Sequence, residues 1–291
     1  MKIKTMMLLL SGLFSIAVHA SQTVEIVVPW PPGGGIDFQA QSLAAAAAKL
    51  HPNATVKRTY FNACSTAMDH AVQASKSHPT YLLGDIGDII FHDKSIGSRC
   101  PPLKTVPVPV EPVSKLGHVP VVLCHSGKTN LADIQKKKKV LIGYSATTAF
   151  TVIGKHMQND QYQMVPYKAT AEAKTALEAG DLDMVWFGGH TALPMMEKEG
   201  AKCVAVSSDS KLAGLPSLSK FFGREVPNWD SLVLMFKVGG PVSRPDWLHE
   251  VAKSKEFTDA LATRRLINGA LDKDDLMGYI VRQEKVLLEK K

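Results

Sequence analysis

Residues 24–37 read VEIVVPWPPGGGID, and this stretch decides the fold of the chain. An apolar run, Glu25 to Pro29, predicts a strand, and the alanine-rich run from Ile36 to Leu50 predicts a helix. Prolines and three glycines join the two. The first N–H groups of a helix have no intrahelical acceptor and lie at the positive end of its dipole, so the junction predicts a site for an anion.

The three glycines suit an anion site because they lack Cβ atoms. Gly33, Gly34 and Gly35 can adopt positive φ values and let an oxygen approach main-chain N–H groups. Three charge-assisted hydrogen bonds of about 1.5–3 kcal/mol each are compatible with micromolar binding, so no arginine is required. The ligand-binding residues predicted on this loop are Trp30, Pro32, Gly33, Gly34, Gly35, Ile36 and Asp37.

Two side chains of the loop have alternative interpretations. Asp37 is expected to repel an anion, so it either caps exposed N–H groups and orders water, or recognises a ligand hydroxyl or amine. Trp30, like Trp186 before a second predicted turn, either stacks on a planar ligand or packs between domains. The sequence leaves both alternatives open.

The N-terminus has the features of a secretory signal peptide. Lys2 and Lys4 precede an apolar run, Met6 to Val18, and Val18-His19-Ala20 suits a cleavage site. A membrane-spanning helix needs about 20 apolar residues, more than this run provides. We expect cleavage after Ala20 and a mature protein that is soluble and periplasmic. Cleavage would lower the formal charge of +7 by two, which leaves a mildly basic protein.

Motifs for other functions are missing or incomplete in the sequence. It contains no G-x-S-x-G nucleophile elbow and no zinc signature, and its glycines lack the G-K-[ST] of a P-loop. We therefore expect a binding protein, not an enzyme, with no cofactor and no metal. The basic run Lys136 to Lys139 suits a solvated helix end, so no nucleic-acid partner is expected.

An exported enzyme is the competing class. Asp85, Asp88, His92 and Asp93 crowd one predicted loop, where they suggest either a metal site or general base, or more simply a solvated turn. Asp85 is also included among the predicted ligand contacts.

Four cysteines, an even number, suit an oxidising compartment. Three pairings are possible. The preferred one joins Cys64 to Cys100 and Cys124 to Cys203, because each pair then stays within one proposed domain. Free buried thiols are the alternative.

Short β-branched runs alternate with helical periodicity, which predicts an α/β fold with a mostly parallel sheet. Six prolines keep the region around residues 100–118 extended, which suits a crossing between domains: Pro101, Pro102, Pro107, Pro109, Pro112 and Pro120. A second crossing is predicted around residues 216–227. Two crossings place residues 21–118 and 228–291 in domain I and residues 119–227 in domain II.

Seven motifs occur in the order known from one protein family. Residues 27–37 are similar to that family's opening VVPFxPGGxxD. The others are Tyr81-Leu82-Leu83-Gly84, Glu111 to Leu116, Val165 to Lys168, Ala179 to Met184, Val204 to Ser208 and Gly214 to Leu218. Each motif alone is weak, but together they are specific and cover nearly the whole mature chain. The chain thus resembles the Bug-type extracytoplasmic solute receptors, the binding proteins of tripartite tricarboxylate transporters.

This resemblance implies a two-domain periplasmic-binding-protein fold, type II-like, with two crossing strands and a ligand cleft between lobes that close by hinge motion. It implies a monomer that captures a small organic anion and delivers it to membrane permease subunits. The ligands of the family range from C4 dicarboxylates and citrate through acidic amino acids to aromatic acids. A sensor that binds a histidine-kinase ectodomain would have the same fold and is the alternative.

The resemblance also implies a second ligand loop, which here matches Ser145, Ala146, Thr147 and Thr148. The glycine-rich turn expected after the second strand is replaced by residues 60–66, so this wall of the cleft must differ. Where many members have Asp-Asn after a strand, this chain has Phe187-Gly188 and then Gly189-His190, and Gly188 and His190 are predicted ligand contacts. His190 either meets a second ligand carboxylate or is satisfied in the core, and Lys168 either reaches an anion or begins a helix in solvent.

Overall fold

The computed structural model describes residues 22–90, 100–145, 148–198, 200–207, 214–226, 231–240, 246–264, 266–271 and 273–288. The predicted signal peptide, His92, Asp93, Ala146 and Thr147 lie outside the described residues.

The first lobe is built on a six-stranded sheet within the described part of the chain. In spatial order its strands are β11 (Ile267–Asn268), β4 (Val110–Val119), β10 (Ser231–Val238), β3 (Thr80–Asp85), β1 (Gln22–Val28) and β2 (Ala54–Tyr60). β1 lies parallel to β2 and β3, whereas β10 lies antiparallel to β3 and β4. The helices around this sheet are α1 (Gly35–Leu50), α2 (Cys64–Ala74), α3 (Ile86–Ile89), α9 (Trp247–Lys253), α10 (Lys255–Ala262) and α11 (Lys273–Leu288).

The second lobe is built on a five-stranded sheet within the same described part. Its strands are β7 (Tyr162–Tyr167), β6 (Val140–Ser145), β8 (Met184–Gly188), β5 (Val121–His125) and β9 (Lys202–Val206). β6 lies parallel to β7 and β8, and β5 lies antiparallel to β8 and β9. Its helices are α4 (Leu131–Lys136), α5 (Thr148–Met157), α6 (Thr170–Ala179), α7 (Gly189–Lys198) and α8 (Leu218–Phe222).

The alternation of β1 explains why this strand lies inside the first lobe. Val24, Ile26 and Val28 pack with α1 on one face, and Val27 packs with α2 on the other. Side chains alternate between the faces of a strand, so an apolar run of this length needs helices on both sides of the sheet. The predicted α/β fold class with two lobes is confirmed.

The chain crosses between the lobes at Pro120, because β4 belongs to the first sheet and β5 to the second. Much of the proline-rich stretch predicted as a crossing is in fact the strand β4. Pro112 pairs with Phe236 at a register shift, a place where a strand tolerates proline. The prediction of mostly parallel pairing was too simple, since strands at the crossings run antiparallel to their neighbours.

Two disulfides join Cys64 to Cys100 and Cys124 to Cys203. This is the pairing preferred from the sequence, and the alternative of free thiols does not hold for these four residues. The second bridge links neighbouring strands β5 and β9, where Cys124 pairs with Cys203. The first ties the start of α2 to the chain at the beginning of the proline-rich stretch.

Candidate functional site

The glycine-rich loop lies at the carboxyl end of β1 and leads into α1. Gly33 has a φ of 99°, in the left-handed region that glycine adopts without strain. Gly34 is the N-cap of α1, and no side chain caps the helix there. Both residues are exposed, and a Cβ at either position would meet nothing within 4 Å. The backbone at the start of α1 is therefore open to an approaching group.

Asp37 points back into this loop and holds its shape. The carboxylate is only 3% exposed and accepts hydrogen bonds from the Gly33 N–H at 2.7 Å, the Tyr60 hydroxyl at 2.7 Å and the Gln41 side-chain amide at 2.9 Å. Burial raises the pKa of Asp37, but these hydrogen bonds and the charge of Arg58 outweigh it and hold the pKa below its ordinary value. Of the two interpretations, the structure shows Asp37 binding an exposed N–H group.

This network changes what the first glycine contributes. The Gly33 N–H is donated to Asp37, so Gly33 shapes the loop through its positive φ. The N–H groups that follow lie in the first turn of α1, where helix geometry provides no intrahelical acceptor. These are the groups suited to an anion.

Tyr60 belongs to residues 60–66, the segment in which the chain differs from the family that it resembles. It ends β2, which lies beside β1, and its hydroxyl reaches Asp37. A tyrosine at this strand end thus supports the loop from the side. The next helix, α2, begins at the disulfide-bonded Cys64.

His190 lies where the two lobes meet. β8 ends at Gly188, α7 begins at Gly189, and the N–H of Gly189 donates to the Pro120 carbonyl at 2.7 Å. The imidazole lies against Gly35 and Gly188: its Cε1 is 2.7 Å and 2.6 Å from where a Cβ on these glycines would be. The ring can approach both backbones only because the glycines have no side chains.

The environment of His190 keeps its imidazole neutral at neutral pH. Burial lowers the pKa of His190 to about 4, and the charge of Arg264 contributes. Arg264 follows α10, and its guanidinium lies 5.2 Å from the centre of the Phe38 ring. The His190 Nδ1 is buried and has no hydrogen-bond partner among the described residues.

Gln39 was missed by the sequence analysis. It is 0% exposed in α1, and neither its side-chain oxygen nor its nitrogen has a hydrogen-bond partner among the described residues. An unpartnered buried polar group costs about 1–3 kcal/mol, so such groups are rare in native proteins. The available signal was a glutamine four residues after Gly35 and four before the apolar Leu43, on the face of α1 that must be buried.

Other predicted residues lie at the same edges of the sheets. β1 and β3 are parallel neighbours, so Asp85 ends its strand beside the loop. β6 and β8 are also parallel neighbours, which puts the buried Ser145 at the same edge as Gly188. Thr148 begins α5 just beyond this edge. The topology thus brings together the predicted contacts of each lobe.

Asp85 and Asp88 do not form a solvated turn, because both are only 3% exposed. The Asp85 carboxylate accepts a hydrogen bond from the Gly87 N–H at 2.9 Å and caps α3. That part of the sequence interpretation is wrong. A capping carboxylate is what the first turn of a helix favours.

The two tryptophans differ in burial. A ring carbon of Trp30, Cη2, lies 3.8 Å from where a Cβ on Gly84 would be, so the half-buried Trp30 lies against the end of β3. Trp186 is fully buried within the core and offers no face for stacking on a ligand. Lys168 is exposed, and its backbone N–H donates to the Glu172 carboxylate at 3.2 Å just before α6.

Among the described residues, no set of three or more His, Cys, Asp or Glu side chains is arranged to hold a metal ion. Across that same part of the chain, no helix has the length and apolar character that crossing a bilayer requires.

No protein-family profile matches the chain. No curated protein matches it by sequence. Several solved structures match it in fold. The periplasmic binding protein BugD is 18% identical with a TM-score of 0.65, over 90% of this chain and 94% of that one. A Rhodopseudomonas palustris protein with adipate, Rpa4515, is 20% identical with a TM-score of 0.64, over 92% and 97%.

The third comparison is MatC (Rpa3494) of R. palustris with bound malate, which is 17% identical with a TM-score of 0.62 over 91% of this chain and 99% of that one. At such identities these likenesses show the fold alone. One of these structural neighbours, BugD, belongs by its name to the Bug-type solute-binding proteins that the sequence resembles.

Proposed function

We propose that this protein is a periplasmic solute receptor of the Bug type that captures a small carboxylated compound between its lobes and releases it unchanged. The carboxylate binds the N–H groups at the start of α1, next to Gly34. The second lobe contributes the turn at Gly188 and His190 and the segment from Ser145 to Thr148. The receptor then delivers its ligand to the membrane subunits of a tripartite tricarboxylate-type permease.

The observation that carries this proposal is the state of the loop between β1 and α1. Its glycine backbone is exposed and uncapped, while the acidic side chain of the first helical turn, Asp37, is turned inward onto three hydrogen-bond donors. Such a helix start attracts anions through its free N–H groups and its dipole. The guanidinium of Arg264, over Phe38 on the first turn, adds a positive charge beside it.

The solved structures support the choice of ligand class. Adipate and malate, the compounds with which Rpa4515 and MatC were solved, are both carboxylates. A signal peptide cleaved after Ala20 and lobes formed by residues 21–118 with 228–291 and by residues 119–227 belong to the same proposal.

A thermal-shift screen of organic acids tests the proposal on the chain from Ser21 onward. A carboxylate present at 100 times its Kd should stabilise the protein by about 2.7 kcal/mol. Gly34→Asp places a negative charge at the helix start and should abolish the shift, while the unliganded protein still melts cooperatively.

Ser77→Asp, which adds the same charge at an exposed site, is the matched control and should keep the shift. If no carboxylate shifts the melting temperature, or if Gly34→Asp binds as well as the parent chain, the proposed site is wrong.

A further inference from the structure

The side-chain amide of Gln39 and the Nδ1 atom of His190 are buried and have no hydrogen-bond partner within the described residues. The amide of Gln39 has one acceptor and two donor positions without a partner, and the imidazole of His190 has a buried Nδ1 without one. Asp37, two residues before Gln39, accepts three hydrogen bonds. This contrast within one helical turn indicates that Gln39 forms its hydrogen bonds with a partner from outside the chain.

His190 lies against Gly35, and Gln39 lies one helical turn after that glycine. Gln39 follows Gly35 by four residues and therefore lies on the same face of α1, with a side chain directed toward the N-terminal turn. The His190 ring occupies the space where a Cβ of Gly35 would be. Gly35 is the first residue of α1, so both groups lie beside the N–H groups assigned to the ligand carboxylate.

The chemistry of the pair favours an uncharged partner. A glutamine amide carries no charge, and the neutral imidazole has one donor and one acceptor. The nearby cation, Arg264, opposes a positive charge on His190, which agrees with the lowered pKa. Asp37 is already engaged and supplies no counter-charge. A second carboxylate here would be buried without a cation among its direct partners, which is unfavourable.

We propose that Gln39 and His190 together bind the second polar group of the ligand, and that this group is an uncharged hydroxyl, amide or keto group. The ligand is then a monocarboxylate with a neutral polar group, unlike the dicarboxylates adipate and malate. This inference rests on the proposed function, because it takes the carboxylate at the start of α1 as the other end of the ligand.

Matched ligands test the inference on the unaltered protein. Succinate, succinamate and 4-hydroxybutyrate share a four-carbon chain, as adipate, its half-amide and 6-hydroxyhexanoate share a six-carbon chain. Each series varies only the far group. In titration calorimetry at pH 7.5, the half-amide or hydroxy acid of the series that fits should bind at least about tenfold more tightly than the dicarboxylate. Equal or tighter binding of the dicarboxylate would overturn the inference.

Gln39→Met tests the role of the amide itself. Methionine fills a similar volume without the unpartnered polar atoms, so the unliganded variant should melt about 2–4 °C higher than the parent. It should also lose about tenfold in affinity for the half-amide or hydroxy acid and little for the dicarboxylate. Gln73→Met, at an exposed glutamine of α2, should change neither quantity.

The outcomes separate the two proposals. If carboxylates bind but Gln39→Met keeps the same preference between the matched ligands, Gln39 does not contact the second polar group of the ligand. Only the inference then fails. If Gln39→Met does not fold, the preference of the unaltered protein within each series decides alone. If no carboxylate of either series binds and no acid of the wider screen shifts the melting temperature, the proposed function fails and this inference with it.

Discussion

The two turns that meet between the lobes have the same backbone plan, but their polar side chains differ in how fully they are hydrogen-bonded. Each joins the carboxyl end of a parallel strand to a helix through glycines, β1 to α1 in one lobe and β8 to α7 in the other. In the first turn the acidic side chain, Asp37, has every oxygen engaged by the protein. In the second, His190 keeps a buried ring nitrogen without a partner among the described residues.

The first loop is thus held in shape by Asp37, whereas His190 in the second turn has a ring nitrogen that bonds to none of the described residues and is free to bind another group. The saturated carboxylate stiffens the first turn and leaves main-chain N–H groups as its binding surface. The second turn presents an imidazole held between two glycines. Replacing residues on each side should therefore damage different properties of the protein.

The largest expected effect is on the saturated turn. Asp37→Asn removes a buried charge and leaves a single acceptor oxygen, so the amide cannot keep all three hydrogen bonds from Gly33, Tyr60 and Gln41. We expect the free energy of unfolding to fall by about 3 kcal/mol, measured by urea denaturation. The order of affinities among carboxylates should stay the same, and a changed order would show that Asp37 contacts ligand.

Acid should affect the two turns in separate pH ranges. The pKa of His190 is lowered from 6.5 to about 4, so the unfolded chain takes up its proton first and stability falls as the pH drops from about 6.5 toward 4. From pH 7 to pH 5 the loss should be about 2 kcal/mol. His190→Asn should remove the part of this slope that His190 contributes in urea denaturation, while His125, whose pKa is also lowered by burial, accounts for part of the remainder.

The carboxylates of Glu25 and Asp37 contribute little to the change in stability between pH 7 and pH 5. The pKa of Glu25 is lowered to about 2, chiefly by hydrogen bonds that outweigh its burial, and that of Asp37 is also lowered. The stability that each contributes is complete above its unfolded pKa of about 4.5 or 3.8 and is lost only as the pH falls below that value. An unchanged slope in His190→Asn would mean that other groups titrate.

A smaller effect is expected from adding one methyl group between the turns. A Cβ on Gly35 would lie 2.7 Å from the His190 ring, whereas a Cβ on Gly34 would meet nothing within 4 Å. Gly35→Ala should displace the ring and destabilise the unliganded protein by about 1 kcal/mol. Gly34→Ala, its neighbour, should melt within about 1 °C of the parent. Similar melting of both variants would argue against the contact between the lobes.

The smallest effect is expected from the exposed cation beside the first turn. Arg264→Gln removes a positive charge near the proposed site, and its only other expected effect is on the exposed stacking contact with the Phe38 ring. Association with a carboxylate should slow by about two- to threefold at low salt, and the difference should vanish at high salt. Stopped-flow binding at two ionic strengths measures this. A salt-independent loss would instead place Arg264 in direct contact with the ligand.

The sequence alone was sufficient for the local features. The step from an apolar strand through glycines into an alanine-rich helix predicted β1, the loop and α1, because strand and helix periodicities and glycine's lack of a Cβ act over a few residues. The paired cysteines followed from keeping each bridge in one domain. Even the inward role of Asp37 was one of two stated alternatives.

The tertiary structure alone decided what each glycine is for and which polar groups have partners. Three adjacent glycines look equivalent in sequence, yet Gly33 provides a positive φ, Gly34 an open backbone and Gly35 room for His190. The burial of Gln39, Asp85 and Asp88 depends on chain segments far away in sequence. Hydrogen-bond partners and close approach are properties of surfaces brought together by folding, so no local pattern could supply them.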